Sequence, residues 1–269
     1  MSVGWFNGTF VEKYLNLDPA DRGLLLGDGI FETIAVRNGR AIWLNKHIER
    51  MTNATVELGL ELDEAQLRIA VELVLHRSEH RYEVMRLTLT RGVTPRGLAA
   101  FGTRPSLFVS LLPLDLAKQP QQLKLATSKI RRNETAPSSR LKTLSYVDGI
   151  AAAREVMNEA DDALMLNTAG HVACSTVSNL FIMRGSELIT PQIGEGILPG
   201  ITRAKIIEHV GEIGFNARSA IVTLDEVYGA DAVFLTNSLR LVTPVVMLDG
   251  KAMGTASVVD IKQKLETLS

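Results

Sequence analysis

The spacing of apolar positions changes period along the chain, and each change marks a predicted element. Gly4-Trp5-Phe6-Asn7-Gly8-Thr9-Phe10-Val11 sets aromatic and β-branched residues on both sides of Asn-Gly, which predicts a β-hairpin. A turn over 18–23 and the Gly27-Asp28-Gly29 stretch lead into an alternating strand over 31–36, stopped by Asn38-Gly39 and partnered by Trp43-Leu44. From Asn45 the period becomes helical, with Ile48, Met51, Ala54, Val56 and Leu58 on one face and Gly59 near the stop. A second helix follows over 63–76, and strands over 84–90 and 106–112 flank the loop Arg91-Gly92-Val93-Thr94-Pro95-Arg96-Gly97.

Polar residues 115–122 predict a linker between a small N-terminal α/β domain, 1–114, and a larger C-terminal domain, 123–269. The second domain opens with a strand over 123–129, a polar loop through 137–140 and a helix over 143–157. Strands over 163–167, 171–173, 179–183 and 187–190 precede a helix over 202–213, with Ile206, Val210 and Ile213 on one face. Strands over 232–236 and 242–248 and a C-terminal helix complete it. Strands interleaved with helices predict an α+β fold with two mixed sheets and flanking helices, not a doubly wound parallel sheet.

Composition narrows the class of protein. Of 269 residues, 46% are hydrophobic and 22% charged, enough apolar material for two cores and too much for disorder. Lys+Arg 29 against Asp+Glu 30 leaves a net charge of −1, so no basic excess favours nucleic acid or an anionic membrane. The apolar run at 107–112 falls short of the roughly 20 residues that cross a bilayer, and the first residues lack a basic flank with an apolar stretch behind it. A soluble, cytoplasmic protein is expected. A single cysteine, Cys174, excludes an intrachain disulfide and a cysteine-based metal cluster, and the five histidines show no ligand spacing, so no metal is expected.

Four places carry candidate chemistry. Gly200-Ile201-Thr202 opens a helix, so backbone N–H groups, the helix dipole and the Thr202 hydroxyl fit one phosphate; the same residues fit a plain turn with Thr202 as N-cap. Thr236-Asn237-Ser238 closes a strand with donors that suit an anion or an ordinary turn. Lys142, at the mouth of the predicted helix between Leu141 and Leu144, fits either a desolvated amine able to form a Schiff base or a solvated lysine. Arg50 fits a phosphate contact or a surface ion pair with Glu49.

The order of these motifs carries a resemblance. Arg22-Gly23, Gly27-Asp28-Gly29-Ile30-Phe31-Glu32-Thr33, His47-Ile48-Glu49-Arg50, Lys142, Ser178-Asn179-Leu180-Phe181, Leu198-Pro199-Gly200-Ile201-Thr202-Arg203 and Asn237-Ser238-Leu239 with Thr243-Pro244-Val245 together resemble the class IV, fold-type IV pyridoxal-phosphate enzymes. That family holds branched-chain and D-amino acid aminotransferases, some amine transaminases and aminodeoxychorismate lyase. The resemblance implies a two-domain fold like that of D-amino acid aminotransferase, pyridoxal 5′-phosphate held mainly by the C-terminal domain, a small amino or oxo acid as substrate, and a homodimer. It implies that Lys142 carries the cofactor and moves the proton between substrate Cα and cofactor C4′. Arg50, the Ile201 and Thr202 amides, the Thr202 hydroxyl and Ser238 would hold the phosphate, and Tyr146 would bond the phenolic oxygen of the ring. Where the family usually places a glutamate against the pyridine nitrogen, the aligned residue is Cys174, a weak partner unless ionised, with Ser175 and Thr176 as nearby polar substitutes.

Phe31, Arg96 and Leu239 are the implied substrate contacts, Arg96 as the grip on a carboxylate. Asn237-Ser238-Leu239-Arg240 and Phe31-Glu32-Thr33 look more like aminodeoxychorismate lyase, and Leu98 and Phe31 stand where one D-amino acid transaminase pattern has histidine and tyrosine. The implied reaction is conversion of 4-amino-4-deoxychorismate to 4-aminobenzoate and pyruvate in folate synthesis. The alternatives are an aminotransferase for D-amino or branched-chain amino acids and a weakly active or non-catalytic cofactor-binding relative. Gly27-Asp28-Gly29 lacks both the Walker lysine and a full dinucleotide fingerprint, so a nucleotide site ranks far below the cofactor reading.

Overall fold

Alternation builds the first sheet. Strands β1 (Val3–Phe6), β2 (Thr9–Val11), β3 (Gly29–Arg37), β4 (Arg40–Ala41), β5 (Tyr82–Thr90) and β6 (Ser106–Pro113) lie in the order β2-β1-β6-β5-β3-β4, every pair antiparallel. The computed structural model describes residues 3–11, 14–99 and 104–269. The chain forms two units, Met1–Lys118 with Leu141–Ser145, and Gln119–Arg140 with Tyr146–Ser269. Leu141–Ser145 follows the polar stretch in sequence yet belongs to the first unit.

In the first unit Ile30, Ile34 and Val36 of β3, Met85, Leu87 and Leu89 of β5 and Leu107, Val109 and Leu111 of β6 point to one face. Helices α2 (Leu44–Leu58) and α3 (Glu64–Leu75) cover it with Ile48, Met51, Ala54, Leu67, Ala70, Val71 and Val74. The short α1 (Arg22–Leu26) starts at the end of the turn read over 18–23 and fills the stretch before Gly27, for which no element is predicted; the Asp21 carboxylate accepts from the Gly23 N–H at its start and left-handed Gly27 ends it. Two details of α2 correct the sequence reading. Trp43-Leu44 is not the partner of β3: Asn38-Gly39 turns the chain directly into β4, while Trp43 takes a left-handed conformation at the helix entrance. Val56 is 79% exposed, because five residues beyond Met51 is about 140° round the helix; Thr55 takes the inward place.

The helix expected from Thr143 begins only at α5 (Val147–Val156). Residues 142–144 run instead along the first residues of β3, which β4 is too short to cover: the Phe31 N–H donates to the Lys142 carbonyl at 2.9 Å and the Leu144 N–H to the Gly29 carbonyl at 2.9 Å, with Thr143 opposite Ile30. Unpaired strand-edge groups supply the reason, and β-branched Thr143 suits the extended backbone. Gly29 is required for the approach, since a Cβ there would stand 2.5 Å from the Leu89 carbonyl oxygen and 2.8 Å from Leu144.

The second unit has nine strands, β7 (Leu123–Thr127), β8 (Asp162–Leu166), β9 (Val172–Ser175), β10 (Asn179–Arg184), β11 (Glu187–Pro191), β12 (Asn216–Ala220), β13 (Ala232–Asn237), β14 (Leu241–Leu248) and β15 (Lys251–Ala252), in one mixed sheet. Its order is β12-β11-β10-β13-β14-β7-β8-β9, with β15 on β14 and β9 also meeting β10 through Cys174 and Asn179. Short α4 (Pro137–Arg140), α5, α6 (Ile201–His209), α7 (Leu224–Tyr228) and α8 (Val258–Thr267) flank it. The helix read as 202–213 is α6 followed by a 3₁₀ turn, Val210–Ile213, closed by left-handed Gly214. With one antiparallel and one mixed sheet and helices on their faces, the fold is α+β.

Candidate active site

In the first unit a carboxylate is buried where β3 would ordinarily place an apolar side chain. Glu32 is only 1% exposed and shares the inward face with Ile30 and Ile34. Arg50 donates to it twice, Nε to Oε1 at 2.8 Å and Nη2 to Oε2 at 2.6 Å, and His47 Nδ1 lies 2.6 Å from Oε2. His47 and Arg50 are three residues apart on α2, so one helix face presents both. Burial opposes ionisation of Glu32, but Arg50 and His47 outweigh it and hold the carboxyl at about 2. Burial pushes His47 below its ordinary value, so a neutral imidazole donates from Nδ1 to Glu32, and its buried Nε2 has no partner. Glu49, the other candidate partner for Arg50, pairs with Lys46.

Lys142 comes to the same region on its strand beside β3. Its Nζ lies 4.3 Å from the centroid of the Phe31 ring, and the Arg86 guanidinium carbon lies 3.7 Å from the same centroid. Burial, with Arg50 and Arg86 nearby and Glu32 opposing, lowers the amine from 10.5 to about 8. Phe31, Arg50 and Lys142 are therefore brought together, while Arg96 stands exposed on its loop. Glu32 and His47, which enter the sequence reading only as parts of motifs, and Arg86 are the neighbours to which that reading gave no role of their own. The signal for Glu32 was present: a charge at an inward position of an alternating strand.

In the second unit, Gly200 rather than Thr202 is the N-cap of α6, and no side chain caps the helix. Thr202 lies in the first turn with its hydroxyl buried and without a partner. The Thr236 hydroxyl near the end of β13 is likewise buried and unpartnered, and α6 packs against β13. Ser238 and Leu239 follow on a turn shaped by Asn237, whose Oδ1 accepts from the Leu239 and Arg240 N–H groups and whose Nδ2 donates to Ser178. Arg203 anchors α6 by donating to the Thr190 and Ser219 hydroxyls and the Pro191 carbonyl.

Cys174 lies on β9 in a cluster with Ala173 and Ile197, and burial pushes its thiol above the ordinary value, so it is neutral. Of its polar neighbours, Thr176 donates to Asp162 at 2.5 Å, whereas the Ser175 hydroxyl is buried without a partner. Tyr146 stands at the entrance of α5, its carbonyl accepting from the Ile150 N–H. Among the described residues no group of three His, Cys, Asp or Glu side chains suits a metal ion, and no helix is long and apolar enough to cross a membrane.

The family model of amino-transferase class IV matches residues 29–248. A Methanocaldococcus jannaschii protein assigned as a branched-chain-amino-acid aminotransferase is 30% identical over 269 residues, covering 97% of this chain and 93% of that one. The aminodeoxychorismate lyase of Bacillus subtilis is also 30% identical, over 94% of this chain and 89% of its own. A Legionella pneumophila crystal structure assigned as 4-amino-4-deoxychorismate lyase superposes with a TM-score of 0.89 at 30% identity, covering 95% of this chain and 96% of that one. The chain belongs to the class IV aminotransferase family, fold-type IV enzymes that use pyridoxal phosphate.

Proposed function

We propose that the chain is a lyase that converts 4-amino-4-deoxychorismate to 4-aminobenzoate and pyruvate. The observation that carries the reading is Lys142, an amine lowered to about 8 beside an aromatic ring and two arginines, and so ready to act as a base near neutral pH. The Asn237-Ser238-Leu239-Arg240 turn and Phe31 favour the lyase within the family.

The residues present fit pyridoxal phosphate. The uncapped first turn of α6 and the orphaned Thr202 hydroxyl are what a phosphate satisfies, since a buried hydroxyl without a partner is costly. The reading gives the phosphate to Ile201, Thr202, Ser238 and Arg50, the phenolic oxygen of the ring to Tyr146, and the ring nitrogen to the neighbourhood of Cys174. Pyridoxal phosphate supplies an electron sink for the pair left on the amine-bearing carbon. Lys142 Nζ takes the proton from that carbon, and Arg96 holds a substrate carboxylate so that the carbon is presented to it. The carbon–oxygen bond to the enolpyruvyl group then breaks, the ring becomes aromatic, and the departing fragment gains a proton to become pyruvate. Incubating the holoenzyme with 4-amino-4-deoxychorismate tests the reading: 4-aminobenzoate and pyruvate in equal amounts support it. Transfer of an amino group to an oxo acid without 4-aminobenzoate would identify an aminotransferase for D-amino or branched-chain amino acids instead.

Two substitutions probe the cofactor contacts. Thr202→Val removes a hydroxyl and keeps the shape, so the apo protein should melt no lower than wild type while the Kd for pyridoxal phosphate rises about tenfold. Cys174→Glu buries a carboxylate among apolar side chains and should lower the melting temperature of the apo protein. In the holoenzyme it should strengthen the absorbance of the protonated ring and speed a transamination half-reaction about tenfold. An unchanged spectrum and rate would remove Cys174 from the ring nitrogen.

A further inference from the structure

We infer that Arg22 is a positioning residue: its guanidinium fixes the loop that carries Arg96 and so sets the grip on the substrate carboxylate, an inference that rests on the role proposed above for Arg96. Arg22 opens α1, and its side chain is 9% exposed. All three of its nitrogens are engaged. Nε donates to Asp28 Oδ2 at 2.7 Å, Nη1 to the Gly97 carbonyl at 2.8 Å and Nη2 to the Leu98 carbonyl at 3.0 Å. The two carbonyls are those immediately after Arg96, so the fork holds the backbone on which Arg96 is mounted.

The base of the loop is tied to the same short segment. The Arg22 N–H donates to the Gly92 carbonyl at 3.0 Å, and Asp21 bridges Val93. Gly92 has φ +73, and a Cβ there would lie 1.8 Å from the Arg104 carbonyl oxygen, so the turn tolerates no side chain. Asp28 in turn takes Nε of Arg91 at 2.8 Å, while Arg91 donates to the Leu58 and Gly59 carbonyls. Burial opposes ionisation of Asp28, but Arg91 and Arg22 outweigh it, and the carboxylate stays charged. A charged Asp28 aims the Arg22 fork, and the fork catches two successive carbonyls that a loop otherwise leaves to water. A lysine has one nitrogen and cannot span Asp28 and both carbonyls. Arg96 itself makes no hydrogen bond or ion pair among the described residues, so its guanidinium is available while its backbone is held.

The test is a double-mutant cycle on the holoenzyme with Arg22→Lys, Arg22→Ala, Arg96→Ala and Arg22→Ala/Arg96→Ala, reading KM and kcat for 4-amino-4-deoxychorismate and amide hydrogen exchange across 93–99. Both Arg22 variants should raise KM about tenfold with kcat within about twofold of wild type, and exchange in the loop should quicken. Once Arg96 is alanine, Arg22→Ala should raise KM no further. Arg22→Lys retains a cation and serves if Arg22→Ala folds poorly. An equal rise in KM with and without Arg96 overturns the inference, as does loop exchange that stays at the wild-type rate in both Arg22 variants. If Arg96→Ala leaves KM unchanged, the role of Arg96 falls and the inference with it. If wild type releases no 4-aminobenzoate, the lyase reading fails by itself, and the same cycle run with the amino acid donor that the enzyme does use decides for or against Arg22.

Discussion

Lys142→Ala is expected to lower turnover by about 10⁴-fold or more while the protein still folds. An amine acts as a nucleophile or base only when uncharged, and one at the usual 10.5 is neutral in only about one molecule in 3,000 at pH 7, against about one in eleven when it is lowered to about 8. Burial and the cations Arg50 and Arg86 make that difference. Lys142→Arg should fail as badly, because a guanidinium retains its proton throughout the working range. Borohydride treatment of the wild-type holoenzyme should leave the cofactor on the peptide that contains Lys142 and on no other; an adduct on a different lysine would overturn the assignment. In the apo protein, uptake of pyridoxal phosphate should accelerate as pH rises to about 8 and level off above it, where an unperturbed lysine would still be gaining. The sign for stability is the reverse of a salt-bridged group: burying the ammonium costs the apo fold stability below about 8, and the cost is relieved between about 8 and 10.5.

How far this site was legible in the sequence depends on how local each signal is. β3 and β5 were readable because one face of each is apolar, with Gly27 and Asn38-Gly39 beside β3 and Gly92 after β5, and α3 because Asp63 caps an apolar stripe. Polar β12, Asn-Ala-Arg-Ser-Ala, has no alternation to detect and is held by pairing along β11, while α7 was signalled by the Thr223 and Glu226 capping box and went unread. The misplacement of Thr143 in a helix has a different cause. Its neighbours on both sides suit a helix, and only the uncovered edge of β3, more than a hundred residues earlier, draws 142–144 into extended pairing. The same holds for the chemistry of Lys142: flanking leucines hinted at burial, but the ring and the two arginines that set its amine come from β3, α2 and β5. The identity of the site was carried by spaced motifs, and its electrostatics by contacts that no spacing reveals.

Glu32→Ala should destabilise the first unit by about 3–5 kcal/mol, since it strips the carboxylate from a half-buried arginine and a buried imidazole that have been built around it. Glu32→Gln keeps the volume and part of the hydrogen bonding and should cost about 1.5–3 kcal/mol, read as a fall in the denaturant midpoint. The pH dependence separates charge from packing. Glu32 titrates at about 2 in the fold against 4.5 outside it, so its contribution is complete above 4.5 and is lost as pH falls toward about 2; Glu32→Gln should flatten that limb of the stability curve while the wild type keeps it. Glu32 is also the group that raises the Lys142 pKa against burial and the arginines. Removing its charge should therefore lower the Lys142 value further, and the pH at which cofactor uptake levels off should shift down in Glu32→Gln even though the fold is weaker. A carboxylate that served packing alone would move the denaturant midpoint and leave that uptake profile where it was, so the pair of measurements decides whether Glu32 tunes the catalytic amine or only holds Arg50 in place.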